Sequence, residues 1–249
     1  MMRRDVILLA CLIVVLAAAR PHAGEPLLAD LSRHRIQITT EFTGTEVLLF
    51  GAVEEAGDVV VVVRGPDKTV PVWRKGSYGG IWINEKKVTF RRVPSFYAVG
   101  SSRPLWEVAE EPVLKRHQIG VERLHLEAPG LDPDDAEYIL FRQALIRNMQ
   151  QKGLFAIDVD KVAFLGGRLF RTRLYFPANV PTGDYQVEVI LLRDGQEVSG
   201  QQRTLFVSKA GIGAAVFSFA HQKPSLYGIL AVVAALLAGL LAAYIFRKG

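Results

Sequence analysis

The chain is almost free of cysteine, since Cys11 is the one cysteine among 249 residues. Cys11 lies in an apolar N-terminal segment, so a body without that segment has no thiol at all. Disulfide bonds, a thiol nucleophile and thiolate metal ligands are thereby excluded from such a body. A body of about 200 residues buries enough apolar surface to fold without covalent cross-links.

The body between the two termini also lacks an excess of charge. The formal net charge is +5, but five of the 30 basic residues lie outside residues 24 to 223 (Arg3, Arg4, Arg20, Arg247, Lys248), which leaves 25. Of the 25 acidic residues only Asp5 lies outside, which leaves 24. The positive charge therefore belongs to the termini, where it favours membrane targeting and anchoring over nucleic-acid binding.

Recognisable catalytic and cofactor motifs are missing as well. The sequence has no G-x-S-x-G elbow, no H-E-x-x-H motif and no glycine-rich phosphate loop. Its serines occur in turn-rich stretches and its histidines are scattered (His34, His117, His125, His221). We therefore predict a protein that is not an enzyme and has no cofactor or metal. A less favoured alternative is a hydrolase, in which folding brings a Ser or His next to a carboxylate.

A long apolar run near the C-terminus predicts a membrane-spanning helix. The run begins at Leu226, ends at Phe246 and contains no charged residue. A helix of about 20 apolar residues matches the hydrocarbon thickness of a bilayer. Tyr227 and Tyr244 lie near its ends, where such rings favour the headgroup region, and the following Arg247-Lys248 pair favours a cytoplasmic C-terminus.

The N-terminus has the features of a secretory signal. Arg3 and Arg4 precede an apolar stretch, residues 6–19, and small residues follow it as far as Ala23. Residues 1–23 are therefore interpreted as a signal peptide, with its cleavage left open. The two ends together predict a single-pass protein of a bacterial inner membrane whose bulk is periplasmic, with a cytoplasmic tail at 247–249.

The body itself has the pattern of short β-strands separated by turns. Residues 36–39, 46–53, 59–64, 69–74, 81–84 and 88–90 have strand character, and strands return at 155–165, 170–176 and 185–192. This spacing predicts a mainly β fold with two immunoglobulin-like sandwiches, at 24–110 and 154–210. A helical connector (111–153) would join them, and a juxtamembrane segment (211–225) would lead to the membrane helix.

The connector is predicted to contain an amphipathic helix. Asp132 and Pro133 supply an N-cap and a first helical residue, and Gly153 marks the end. The spacing of the apolar residues predicts one buried face (Tyr138, Phe141, Leu145, Met149). A shorter helix is expected to begin at Pro104 and to be interrupted at Pro112.

A basic stretch and a nearby aromatic pair are the candidate contact residues. The basic stretch, Arg64 to Arg92, has only two acidic residues. It could bind an anion, lipid headgroups or the chain's own acidic segment at 107–137. The alternative is that its cations are solvated edge-strand charges that prevent aggregation. Trp73 and Trp82 are expected to be core or rim aromatics. Phe96 and Tyr97 could dock on a partner or close the sandwich, and core packing is expected for at least one of them. The candidates are Arg64, Arg74, Lys75, Lys86, Lys87, Arg91 and Arg92, with Phe96 and Tyr97.

Several longer strings carry a family resemblance. They are FTG at 42–44, LFGA at 49–52, DVVVVVRGP at 58–66, GIWIN at 80–84, VPSFYAVGSSRPL at 93–105 and PTG at 181–183. On these strings the chain resembles the Alph_Pro_TM family of alphaproteobacterial transmembrane proteins. The resemblance implies an inner-membrane protein and an association with sulfite-exporter-like TauE/SafE permeases. No catalytic residues are established for the family, so none is carried over.

These expectations combine into one leading function and one alternative. The leading function is a non-enzymatic accessory or adaptor protein, anchored in the bilayer and assisting an inner-membrane partner such as a TauE/SafE-like permease. The alternative is a periplasmic module that binds a small anion with the same cations.

Overall fold

The computed structural model describes residues 25–211 and 219–246. The predicted signal peptide, the cytoplasmic tail and residues 212–218 of the juxtamembrane segment lie outside the described residues. The described part is mainly β, as expected. Its strands are β1 (Leu27–Leu31), β2 (Arg35–Ile38), β3 (Gly44–Val53), β4 (Asp58–Arg64), β5 (Asp67–Tyr78), β6 (Ile81–Pro94), β7 (Tyr97–Ser101), β8 (Asp160–Lys161), β9 (Ala163–Leu165), β10 (Leu169–Pro177), β11 (Gly183–Arg193) and β12 (Gln196–Lys209).

The helices are few and mostly short. They are α1 (Leu105–Val108), α2 (Glu111–Arg116), α3 (Ala136–Gln151) and α4 (Pro224–Phe246), with one 3-10 turn at Val121–Arg123. Residues 219–222, just before α4, are also helical. The shorter predicted helix is thus divided before Pro112, which occupies the first turn of α2. A proline is tolerated there because a first-turn amide has no partner within the helix.

Most strands form two sheets that share one hydrophobic core. The first sheet has the order β1-β3-β10-β9, and the second has the order β2-β12-β11-β4-β7-β8. Strand β10 alternates buried and exposed residues along its length, as expected for a strand with one solvent face. The ring centroids of Phe176 on β10 and Tyr185 on β11 are 5.8 Å apart. The two sheets therefore pack face to face.

The structure does not confirm two separate immunoglobulin-like sandwiches. Both sheets combine strands from the first half of the chain with strands from the second half: β3 pairs with β10, and β4 pairs with β11. Strand β2 even pairs in parallel with β12, the last strand. Alternating hydrophobicity predicts that a segment is a strand, but it carries no information about which strand lies beside it.

The segment between β7 and β8 covers the outer face of the second sheet. The predicted continuous valine run, Val59 to Val63, is buried on both faces, with every residue fully inaccessible. One face contacts the first sheet, and the other lies beneath α1, α2 and the loops that follow them. Because both faces of β4 are covered, the near-continuous apolar sequence is what the strand requires.

Helix α3 confirms the predicted buried face but begins later than expected. Tyr138, Phe141, Leu145 and Met149 are all buried. The residue before the helix is Asp135 rather than Asp132. The side chain of Asp132 instead accepts a hydrogen bond from the backbone N–H of Asp134, at 3.0 Å, and so stabilises a turn ahead of the helix.

Helix α4 is long and apolar enough to cross a bilayer. Its segment Pro224–Ala243 has 20 residues, a mean hydropathy of 2.5 and no buried residues. It is the one such helix among residues 25–211 and 219–246. An apolar helix that no other part of the described chain covers is stable in hydrocarbon rather than in water.

Candidate functional site

The β5–β6 hairpin is a long arm that begins and ends in the second sheet. Arg64 at the end of β4 pairs with Tyr97 at the start of β7, and the arm occupies the residues between them. Its base packs on α3: Val72, Val88 and Phe90 are buried, and the rings of Phe90 and Tyr138 are 5.8 Å apart. Beyond this base the ribbon is exposed.

Four of the predicted contact residues lie together on the exposed ribbon. Opposite Arg74 on β5 is Lys86 on β6, and Lys75 and Lys87 are their neighbours along the strands. The Nε of Arg74 lies 3.2 Å from Glu85 Oε2, and the ammonium of Lys87 lies 5.3 Å from the ring centre of Trp73. The sequence-based prediction of a basic surface is thus matched by a cluster of cations on one arm.

Arg91 and Arg92 lie at the base of the arm instead. The backbone N–H of Arg91 donates to the carbonyl of Glu127 at 2.7 Å, which joins β6 to the loop before α3. Arg92 has a positive φ of 52° and forms an ion pair with the Glu127 carboxylate at 3.0 Å. These two residues connect the arm to the helical layer, while the guanidinium of Arg92 stays exposed.

The remaining three predicted contact residues are not on the surface. Phe96 and Tyr97 are 3% and 1% exposed, and Phe96 stacks on Phe176 with a centroid distance of 5.1 Å. Arg64 is covered by α2 and forms an ion pair with Glu188 at 2.7 Å. Phe96 lies in the bend before β7, where its ring also contacts Tyr185, whereas Tyr97 on β7 contacts Phe155.

The Tyr97 hydroxyl fixes the loop that follows α2. It donates a hydrogen bond to the carbonyl of Gln118 at 2.6 Å and accepts one from the N–H of Gly120 at 2.8 Å. Burial raises the pKa of Tyr97 to about 12, against smaller lowering effects from Gly120, Arg64 and Arg123. Tyr97 is therefore a structural residue that attaches the helical layer to the sheet.

The raised pKa of Tyr97 makes an alkaline loss of stability measurable. The unfolded tyrosine loses its proton near pH 10 and the folded one near pH 12. The contribution to the free energy of unfolding is thus complete below pH 10 and is lost as the pH rises towards 12. We expect the free energy of unfolding of Tyr97→Phe, measured by chemical denaturation, to decrease less over this pH range than that of the wild type. Tyr175→Phe, at an exposed residue, should follow the wild type. Equal decreases in all three proteins would contradict the assignment.

A second surface lies on the outer face of the first sheet. Four exposed apolar side chains form a patch across it, three of them in one register row: Leu28 and Leu169 flank Ala52, and Leu165 lies beyond Leu169. Phe50 lies in the adjacent row. The exposed fractions are 57% for Leu28, 56% for Leu169, 45% for Leu165 and 44% for Phe50. Contiguous exposed apolar groups of this kind mark contact surfaces.

Sequence reasoning missed this patch and the exposed end of the hairpin. The Gly79-Gly80 dipeptide between two strand-like runs is a signal for a two-residue hairpin turn and could have located the arm. The exposure of Tyr78, Ile81 and Trp82 has no such signal, since exposed and buried apolar residues alternate in the same way along a strand.

Comparison with known proteins identifies the family. The model of the family described as "Putative transmembrane protein (Alph_Pro_TM)" matches residues 26–248, which is nearly the whole chain. The chain belongs to this family. The resemblance seen in the sequence is thereby confirmed, and the apolar helix α4 fits a family of transmembrane proteins. No curated protein matches the chain.

Membership of the Alph_Pro_TM family and the exposed helix α4 together support a membrane-anchored protein. Among the described residues, the two unexplained surfaces of this family member are the basic hairpin with its apolar end and the apolar patch on the first sheet.

Proposed function

We propose that the protein is a non-enzymatic accessory or adaptor protein that assists a multi-span partner in the same membrane. The observation that carries this proposal is the patch of Leu28, Phe50, Leu165 and Leu169 on a body attached to a bilayer. An exposed sheet face is normally polar, so leucines in a row across neighbouring strands are best explained by a protein contact. A TauE/SafE-like permease is the class of partner that the family resemblance suggests.

Attachment to the bilayer supports this function by mass action. A tethered body meets its membrane neighbours at a high effective concentration, so a contact of modest area is sufficient. The patch supplies several large side chains that could form the buried centre of such a contact, with Arg171 and Arg173 on the same face as a charged margin. The body would act on the periplasmic side, since the basic residues Arg247 and Lys248 favour a cytoplasmic C-terminus.

Photo-crosslinking in native membranes tests this proposal. We expect a benzophenone amino acid in place of Phe50 to give an adduct with a multi-span protein, and the same group in place of Trp106 on α1, which is 81% exposed, to give none. Leu28→Asp with Leu169→Asp should reduce the Phe50 adduct about tenfold or more, because a charge at the centre of a contact removes its apolar anchors. Identical adduct patterns at Phe50 and Trp106 would reject the patch as the contact.

The alternative function, binding of a small anion, would use a different place. Lys86, Lys87 and Arg91 line a groove between β6 and the loop at Pro129–Leu131. Titration of the full chain in detergent with inorganic phosphate and sulfate distinguishes the two functions, because saturable binding lost in Lys87→Gln supports the anion module and not the adaptor.

A further inference from the structure

The outer end of the β5–β6 hairpin is a narrow apolar tip. Tyr78, Ile81, Trp82 and Ile83 are 60%, 69%, 69% and 46% exposed. The two strands are joined by Gly79 and Gly80, whose φ angles of 59° and 84° are those of a tight two-residue turn. Nothing lies within 4 Å of a Cβ placed at either glycine. The tip therefore ends in open space.

The apolar groups occupy both faces of this ribbon. Tyr78 pairs with Ile81, and Ile83 lies two residues farther along the same face. Trp82 pairs with Ser77 and is directed to the opposite face. A protein partner usually covers one face of a sheet, whereas a lipid interface surrounds an inserted group on every side.

A band of cations begins directly behind the tip. The last apolar pair is Gly76–Ile83, and the next three pairs in register are Lys75–Asn84, Arg74–Lys86 and Trp73–Lys87. At about 3.3 Å per residue the cations follow the apolar tip within about 10 Å. Glu85 is the one carboxylate between Trp73 and Lys87. Arg74 is paired with Glu85, and the ammonium of Lys86 lies 2.5 Å from the Glu137 carboxylate, so Lys75 and Lys87 give this collar its net positive charge.

The arm leaves the sheet at the same end as the chain that leads to α4. Arg64, the last residue before the arm, pairs with Gln186, and Gln186 also pairs with Thr204 on β12. From Thr204 the chain continues past this end to Lys209, and residues 210–223 connect it to α4. The arm and the connection to α4 therefore leave the second sheet at the same end.

We propose that the β5–β6 hairpin is a second membrane contact, which inserts its apolar tip into the interface of the bilayer crossed by α4 and places its cations on anionic headgroups. Tyr and Trp favour this interfacial depth. The apolar section contains three residue pairs, whose two steps of about 3.3 Å give a length of about 7 Å, and this matches the depth of about 5–10 Å reached by interfacial elements. The collar complements the negative surface potential of anionic lipids. The proposal depends on membrane anchoring and not on the adaptor function.

Tryptophan fluorescence of the full chain in vesicles tests this contact. Trp73→Phe with Trp106→Phe leaves Trp82 as the probe, and Trp73→Phe with Trp82→Phe leaves the exposed Trp106 as the matched control. In vesicles of phosphatidylcholine and phosphatidylglycerol with brominated acyl chains, we expect quenching several-fold stronger for Trp82 than for Trp106. Dissolved iodide should show the reverse order. Equal bromine quenching of the two probes would overturn the proposal.

Charge variants test the collar with the same probe. Lys75→Gln with Lys87→Gln should reduce the bromine quenching of Trp82 in the anionic vesicles towards the level in phosphatidylcholine alone. Lys152→Gln with Lys161→Gln removes the same charge far from the tip and should leave the quenching unchanged. Equal effects of the two pairs would overturn the headgroup contact. Protection of Trp82 from iodide without bromine quenching would show that a second protein copy covers the tip, which also overturns it.

Discussion

Replacing Phe176 by alanine is expected to lower the free energy of unfolding by about 3–5 kcal/mol. Phe176 is fully buried, and its ring contacts Phe96 at 5.1 Å and Tyr185 at 5.8 Å between centroids. Removing it leaves a cavity between two sheets that are fixed by many other contacts and cannot close around the gap. Urea unfolding of the full chain in detergent, followed by far-ultraviolet circular dichroism, measures the change. Phe206→Ala, at a residue that is 42% exposed, is the control and should change it far less.

The same experiment separates one folding unit from two. Phe176 belongs to the second half of the chain, and Phe96 belongs to the first half. Because strands from the two halves pair with each other in both sheets, we expect one cooperative transition that Phe176→Ala shifts as a whole. Two separate transitions, with only one of them shifted by Phe176→Ala, would support the two-domain organisation expected from the sequence. A variant that unfolds as one unit with an unchanged midpoint would contradict the role of the three-ring cluster.

The sequence predicted features that depend on periodicity and missed those that depend on pairing. The valine run of β4 and the buried face of α3 follow from local spacing, and the structure confirms both. Helix α4 follows from length and hydropathy alone. The parallel pair of β2 and β12 joins residues about as far apart as Ile36 and Val207, and no local pattern encodes such a contact.

The candidate contact residues show the same limit. One arginine and three lysines of the predicted basic surface lie on the exposed arm, because cations remain in water wherever the strand is not covered. Phe96 and Tyr97 were candidates for a partner contact, with core packing expected for at least one of them, and the structure buries both. The ring of Phe96, in the bend before β7, packs against Phe176 and Tyr185, and the ring of Tyr97 packs against Phe155. The residues that bury the pair thus come from distant parts of the chain, which no local pattern encodes.

The second large effect is expected at Glu188, which connects three elements on the outer face of the second sheet. Its two carboxylate oxygens contact the Arg64 guanidinium at 2.7 Å and the His117 imidazole at 2.8 Å. The other imidazole nitrogen of His117 lies 2.9 Å from Glu197 on β12. The Arg64 guanidinium also donates to the carbonyl of His117. This cluster attaches the end of α2 to β4, β11 and β12.

Glu188→Ala is expected to lower the free energy of unfolding by about 3 kcal/mol, since it leaves a largely buried guanidinium without its carboxylate. The side chains of Arg64 and Glu188 are only 20% and 14% exposed, so water replaces the lost partner poorly. Glu85→Ala is the matched control: it breaks the Arg74–Glu85 pair, whose side chains are 47% and 37% exposed, and should change stability by about 0.5 kcal/mol or less. Similar losses in the two variants, measured by urea unfolding, would contradict a buried cluster.

A double-mutant cycle assigns the loss to the pair itself. Arg64→Met alone leaves the Glu188 carboxylate next to His117 without the guanidinium and should also destabilise the protein. In the Glu188→Ala background, however, the guanidinium of Arg64 already lacks its carboxylate, so Arg64→Met costs less stability there. We therefore expect Arg64→Met with Glu188→Ala to lose clearly less stability than the sum of the single variants. Strict additivity would mean that each residue acts through separate contacts, and the attachment of α2 would then depend on His117 and Glu197 instead.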